Sequence, residues 1–376
     1  MLQQFRVRTG PQHRWQWHNI RYLYAILDAE YEADCDRRLG SRGRRSAAAP
    51  CSSCHRGLEC LRLRHLVIRL IQAVQWIVIL GACAAGAEWA ARRQGFGQPP
   101  LALRDPEIGY FLAPNRAYVR FGNTIKVNRY GFRSDDFDAA SVRADDHILL
   151  IGDSVIYGNH HLDQAETVAA RLQAALRLRG SIGTPLVSSM ATSSWSPVNQ
   201  LAFYRRFGPF PARQVWVVLS SHDLSEPVNR SYDHLPYRTS APIGALHDAA
   251  LAAAERVRRL FSPPEDDAAG SLGHRSNEGV VRTLVELLRL HHAEVGLCFH
   301  VTAQEMLEEH EPAAQATLAR IARELDITLV ETRDAYRAAD RPSQRVFYDD
   351  IHLTAHGART LADLLDRASS IPSVRR

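Results

Sequence analysis

Two short stretches of this chain carry residue types able to do chemistry. The first is Gly152-Asp153-Ser154, which follows the apolar run Ile148-Leu149-Leu150-Ile151 and is followed by Gly158. This order puts Ser154 at the carboxyl end of a strand, where backbone N–H groups of a helix start can stabilise an oxyanion. A glycine just before the turn lets the chain bend sharply. A serine there also serves as a helix N-cap. The second stretch is Tyr348-Asp349-Asp350-Ile351-His352-Leu353-Thr354. Asp349 and His352 are three apart, and on a turn that spacing brings a carboxylate to one imidazole nitrogen and leaves the other free. A general base needs that arrangement. A lone Asp-x-x-His also suits a surface turn or a helix cap.

The elements that must position these residues follow from periodicity. From His147 onward, strands alternate with helices. Strands are expected at Ile148–Ile151, from Leu186, at Val215–Leu219, Val295–Val301 and Ile327–Val330. Helices are expected at 164–179, 245–261, 280–293, 312–325 and Thr354–Ala368. Fully apolar strands between helices imply an α/β fold with a parallel sheet covered on both faces. Right-handed crossovers make it doubly wound, with its crevice at the carboxyl ends of the strands. Residues 105–140 read differently. Asp105 to Tyr110, Pro114-Asn115 and Val127 to Arg133 suggest short antiparallel β segments broken by Gly, Pro and Asn.

The chain has 376 residues, 45% hydrophobic and 23% charged, which excludes wholesale disorder and fibrous repeats. The formal net charge of +5 is concentrated at one end: residues 1–64 hold 12 Arg against 6 Asp and Glu, and Lys126 is the sole lysine. The rest is near neutral and has no phosphate-tracking surface, so no nucleic acid partner is expected. Residues 1–64 read as a poorly ordered basic segment; a start nearer residue 60 is an alternative, since no Met lies between Met1 and Met190. Leu70 to Ala87 is uncharged, and residues 65–91 together are long enough to span a bilayer. Arg62, Arg64 and Arg69 precede this run, which favours a cytoplasmic N-terminus, a single pass through the cell inner membrane and a periplasmic body. A signal anchor, a signal cleaved after Ala85-Gly86-Ala87, lipidation at Cys83 and a buried core helix stay open as fates of this run. Residues 92–104, with Gly95, Gly97, Pro99 and Pro100, read as a linker.

Five of the six cysteines precede residue 84, so no disulfide framework holds the body. Cys51-Ser52-Ser53-Cys54-His55 matches a haem-attachment spacing but precedes the membrane segment, on the cytoplasmic side. Cys35, Cys51, Cys54, His55 and Cys60 lack a convincing zinc spacing. The pairs His160-His161 and His291-His292 do not share a helix face and read as solvated or structural. No Gly-rich phosphate loop occurs. No metal and no cofactor are expected.

Taken together and in this order, Gly152-Asp153-Ser154 after the first strand and Asp349-x-x-His352-Leu353 before the last helix make residues 105–370 resemble the SGNH/GDSL hydrolase superfamily. Residues 105–137 look like the leader of its membrane-attached bacterial members. The resemblance implies a flavodoxin-like three-layer domain over 141–376 and ester hydrolysis or acyl transfer through an acyl-serine. Ser154 would be the nucleophile, His352 the base and Asp349 the orienting acid. The oxyanion donors it implies are Ser154, Ser193 (where the family has Gly) and His222 (where it has Asn). The leading expectation is an exported, membrane-tethered serine esterase acting on acyl, chiefly acetyl, esters of an envelope or extracellular glycan. An O-acyltransferase with the same triad, and a weakened glycan-binding protein working with polysaccharide-assembly proteins, are the alternatives.

Overall fold

In the parallel sheet at the centre of the chain, β5 (His147–Gly152), β6 (Leu186–Ala191), β7 (Gln214–Leu219), β8 (Glu294–Phe299) and β9 (Thr328–Glu331) lie side by side in the order β6-β5-β7-β8-β9. The computed structural model describes residues 52–179, 184–224, 238–261 and 276–370. The chain forms two units, Met1–Val78 and Ile79–Arg376. The sheet order is that of a flavodoxin-like doubly wound fold. Every residue of β5, β6 and β7 is buried, as both-face coverage demands of apolar strands.

The helices follow from the crossover rule. β5 passes through α3 (Val168–Leu178) to β6 on one side; β6 returns past β5 through α4 (Pro197–Phe207) to β7 on the other. Right-handed connections running in opposite directions put α3 and α4 on opposite faces. α6 (Glu278–Arg289) packs with α4, and α8 (Ala313–Glu324) is tied to α6 by Arg320–Glu278 and Arg282–Glu324 ion pairs. The last helix, α10 (Ala355–Ser370), packs on α3. Gly296 on β8 is required for close approach: a Cβ there would sit 2.3 Å from the Trp216 ring.

Sequence periodicity placed these strands and long helices to within a few residues. It missed α4, whose start is set by Pro197 and a Ser196–Asn199 capping box. Three short helices escaped it as well: α2 (Ser154–Tyr157), α7 (Ala303–Leu307) and α9 (Arg333–Ala339). They are too short to show a period.

Ahead of the sheet lie two antiparallel hairpins, β1 (Ala102–Asp105) with β2 (Gly109–Leu112) and β3 (Arg116–Arg120) with β4 (Asn123–Val127), where short β segments were expected. Residues 94–101 depart from the linker reading. Gly95, Pro99 and Pro100 are buried, and the Gly97 N–H donates to Asp248 Oδ2 at 2.9 Å. Gly and Pro report the absence of a regular element, not the absence of contacts. α1 (Ser52–Arg93) contains a stretch, Leu63–Arg93, long and apolar enough to cross a membrane, with none of its apolar window buried. The cysteines and His55 upstream of it are either outside the described residues or in a segment whose side chains are not described.

Candidate active site

The turn carrying Ser154 is built at the point where the sheet changes winding direction. β5 and β7 are neighbours there, and their carboxyl ends open a crevice. Asp153, directly after β5, caps α2: its Oδ1 accepts the Val155 N–H at 2.9 Å. The capping role therefore belongs to Asp153 and leaves the Ser154 hydroxyl available. Gly152 is needed for space rather than for an unusual φ, since a Cβ would lie 2.7 Å from Ile156 Cγ1. Gly158 closes α2 in the left-handed region at φ 75°.

Ser154, Asp349 and His352 meet across the crevice. The Ser154 hydroxyl lies 3.0 Å from His352 Nε2, and His352 Nδ1 lies 2.7 Å from Asp349 Oδ2. Asp349 Oδ1 accepts the backbone N–H groups of Ile351 (3.0 Å) and His352 (2.8 Å). Burial raises the Asp349 carboxyl, but the His352 side chain and these N–H groups outweigh it and hold the group below the ordinary aspartate value. A carboxylate on Nδ1 fixes the tautomer that leaves Nε2 as acceptor for the serine proton.

The 349–352 turn is braced by histidines that sequence reasoning did not single out for this role. Buried His300, just after β8, donates from Nε2 to the Ile351 carbonyl and accepts at Nδ1 from the Tyr336 hydroxyl, both at 2.9 Å. His161 donates to the Leu353 carbonyl at 3.0 Å and stacks flat on Tyr348, with centroids 4.5 Å apart and planes at 7°. The Ala303 N–H, at the start of α7, donates to the Asp350 carbonyl at 2.7 Å. No local spacing announces these contacts. His292 is structural, as expected, between the Tyr204 hydroxyl and the Ala212 carbonyl.

The expected oxyanion residues His222 and Ser193 both bond other protein groups. His222 directs Nε2 to Asp153 Oδ2 at 3.3 Å and Nδ1 to Ser220 Oγ at 3.0 Å, so both ring nitrogens face protein oxygens rather than the space beside Ser154. Its evident task is to hold Asp153. Burial raises that carboxyl, but the His222 bond prevails and keeps it below the ordinary aspartate value. His222→Asn should keep this contact and the activity. His222→Leu removes a partner from a buried acceptor and should cost on the order of 1–3 kcal/mol in urea unfolding; equal stability of the two variants would refute the assignment. In the loop after β6, Ser194 takes the left-handed backbone (φ 56°). The Ser193 carbonyl accepts from the Tyr110 hydroxyl, and its side chain donates to Asn159 Oδ1. The N–H groups of Ser154 and Ser194 find no protein acceptor among the described residues and are left as backbone donors. Ser194→Gly is expected to raise stability by about 1 kcal/mol at unchanged kcat, because the left-handed region penalises a Cβ by about that much; a lower melting temperature would contradict it.

Asp153, His222 and Asp223 each bring one potential ligand atom within 4.8 Å of the others, and this is the group among the described residues that could hold a metal ion. The Ser220 N–H (2.7 Å) and hydroxyl (3.0 Å) both bond Asp223 Oδ2, and His222 bonds Asp153, so the group is already knit together by protein donors. A cavity of about 700 Å³ lined by Trp216, His292 and Glu294 opens at the other, amino-terminal end of the strands.

Two buried histidines give the fold a pH signature. Burial pushes His147, held by the Pro211 carbonyl and the Ser188 hydroxyl, and His300 down to about 4. In the unfolded chain both titrate near 6.5. As pH falls the unfolded state takes up protons first. The stability is complete above pH 6.5 and drains away between 6.5 and about 4, by about 3 kcal/mol per histidine at the lower end. Melting temperature should therefore be level above about pH 6.5 and fall from there to pH 4.5; a flat profile over that lower range would overturn the assignment.

The fold and site define a parallel α/β domain with a serine, a histidine and an aspartate in hydrogen-bonded sequence at its winding switch. No family model matches the chain, and no curated protein does. Among solved structures it is similar to a lipolytic protein of the G-D-S-L family from Veillonella parvula, at 12% identity over 60% of this chain and 99% of that one, TM-score 0.37. It is also similar to an alpha/beta hydrolase from the metagenome of Lake Arreo, at 18% identity over 61% and 96%, TM-score 0.40. A third is a catalytic mutant of an acetylxylan esterase from Geobacillus stearothermophilus, at 14% identity over 62% and 99%, TM-score 0.39.

Proposed function

We propose that the chain is a serine esterase tethered to the membrane by α1, with its catalytic body outside the cytoplasm, where it removes acyl groups, acetyl foremost, from a glycan. The observation that carries the chemistry is the relay from Ser154 through His352 to Asp349, at 3.0 and 2.7 Å. His352 Nε2 takes the proton as Ser154 Oγ attacks the ester carbonyl, and Asp349 steadies the imidazolium. The N–H groups of Ser154 and Ser194 are the donors offered to the carbonyl oxygen as it becomes anionic. His352 returns its proton to the departing alcohol, leaving an acyl-serine. Water, deprotonated by the same imidazole, then releases the acid.

Export and tethering are supported by the uncharged run Leu70 to Ala87 and the arginines before it. The glycan is inferred from export and from the family that the two motifs resemble. The test is a chromogenic acetyl ester mixed with the full chain. A burst of one equivalent, with an acetyl group found on the peptide carrying Ser154, supports the reading; turnover with the acyl group elsewhere refutes it. A reporter active only in the cytoplasm, fused after residue 376, should be silent.

A further inference from the structure

α5 (Ala245–Phe261) is an amphipathic helix mounted with its apolar side facing away from the protein. Its inner side carries Ala245 and Asp248, both 0% exposed. Asp248 is a hub for the body: it accepts from the Gly97 N–H and pairs with Arg120 and Arg238. At 100° per residue, Leu246, Ala250, Ala253, Val257 and Phe261 fall within about 80° of one another on the opposite side. All five are exposed, Val257 at 52% and Phe261 at 83%, and Ile243 just before the helix is 95% exposed. Arg256 flanks one edge of this stripe and Arg258 the other, each about 60° from it. An ordinary surface helix turns its apolar side inward.

The occupant is indicated by where the helix begins. Glu88, near the end of α1, accepts the N–H groups of Ala245 (2.9 Å) and Leu246 (2.8 Å), the first two residues of α5. Next to it, Trp89 is 61% exposed, with the Arg93 guanidinium 5.0 Å from the centre of its ring. An exposed Trp with a following Arg at the end of an apolar span marks the level of the lipid headgroups. The first turn of α5 is thereby held at that level. A helix with one apolar stripe, edged by arginines and anchored there, has the composition of one that lies in the bilayer interface. The arginine stems can run along the apolar boundary while their guanidinium groups reach lipid phosphates.

We propose that α5 lies on the bilayer with Leu246, Val257 and Phe261 among the acyl chains and Arg256 and Arg258 at the phosphates, giving the body a second membrane contact beside α1. The inference is independent of ester chemistry but rests on α1 being a membrane span. The experiment uses the full chain with its native cysteines replaced, reconstituted in vesicles of phosphatidylcholine and phosphatidylglycerol. A bimane label is placed at Val257→Cys or, as the control on the inner side, at Glu255→Cys. Lipids carrying a nitroxide just below the headgroup should quench the Val257 label about threefold more than the Glu255 label. Equal quenching at the two positions in chains that float with the vesicles overturns the proposal and leaves the anchor standing. Transfer between Val257 labels that grows with protein density, without lipid quenching, overturns it in favour of a second copy as occupant. A chain that does not float overturns both the anchor and this contact, while an acetyl burst on Ser154 would survive either outcome.

Discussion

Ser154→Ala is expected to lower acetyl-ester turnover by about 10⁶-fold, and His352→Ala by a similar factor, because members of such a relay fail as a unit. The double variant should be no worse than either single one. The reason is geometric. Without Ser154 Oγ no acyl-enzyme forms; without His352 Nε2, 3.0 Å away, the hydroxyl keeps its proton and is a poor nucleophile at neutral pH. Asp349→Asn should fall less, by about 10⁴, since it disturbs the tautomer but leaves both reacting atoms in place. Circular dichroism and melting temperature should be nearly unchanged in Ser154→Ala, whose small side chain sits at the crevice surface. The measurement is the initial rate on a chromogenic acetyl ester with protein purified apart from host esterases. Undiminished turnover by Ser154→Ala would end the assignment of this serine, and additive losses in the double variant would show that the two residues do not share one step.

Arg133→Met is the second large effect. Arg133 comes from the segment after the hairpins and is 1% exposed. Its guanidinium donates to the carbonyls of Tyr157 (3.1 Å), Asn159, Thr124 (3.1 Å) and Leu162 (2.6 Å) and to Gln164 Oε1 (3.3 Å). It therefore ties the loop following the Ser154 turn to β4. Methionine fills much of the volume but leaves those carbonyls without their donor, at a cost of about 3–5 kcal/mol. That corresponds to a fall of roughly 5–10 °C in Tm. Activity should drop about 10²-fold even below the transition, because the loop carries Asn159 against Ser193 and His161 against the 349–352 turn, and small displacements of reacting groups have penalties of that size. Arg133→Lys should not rescue either loss, since an ammonium has three donors and cannot serve four carbonyls and an amide oxygen. Wild-type Tm and kcat in Arg133→Met would show that the loop is positioned by something else.

The contrast between these two predictions marks what was legible in the sequence. Ser154 and the Asp349–His352 pair were legible because each sits in a short motif whose spacing is set by a single turn. The parallel sheet was legible because β5, β7 and β8 are apolar along their length. Arg133 was not: nothing in Tyr130-Gly131-Phe132-Arg133 says that all but one of its partners lie 24 to 31 residues onward. His300 was hidden in the same way, since its acceptor, Ile351, is 51 residues away. His222 was noticed but its contacts with Ser220 and Asp153 were not legible, because position in a motif says which residue is present and not which way its ring turns. The left-handed turn at Ser194 was not legible, since a serine in that region, unlike a glycine, leaves no trace in the sequence. The outward face of α5 was misleading in another sense, because a 3.6-residue period predicts a helix with a sided surface and is silent on which side the protein occupies.

The hydroxyl of Ser154 and the imidazole of His352 are separated by 198 residues of chain. Ribosomes add about 5–20 residues per second, so roughly 10–40 s pass between synthesis of the serine and of its base. During that interval β5 can pair only with strands already made, and Ser154 is an ordinary alcohol with no proton acceptor. On the proposed mechanism, Ser154 gains its base only when the 349–352 turn docks on His300 at the end of β8, so ester turnover would report that docking. Chains lacking the 349–352 turn should show no hydrolytic activity on a chromogenic acetyl ester, however much of the sheet they have formed.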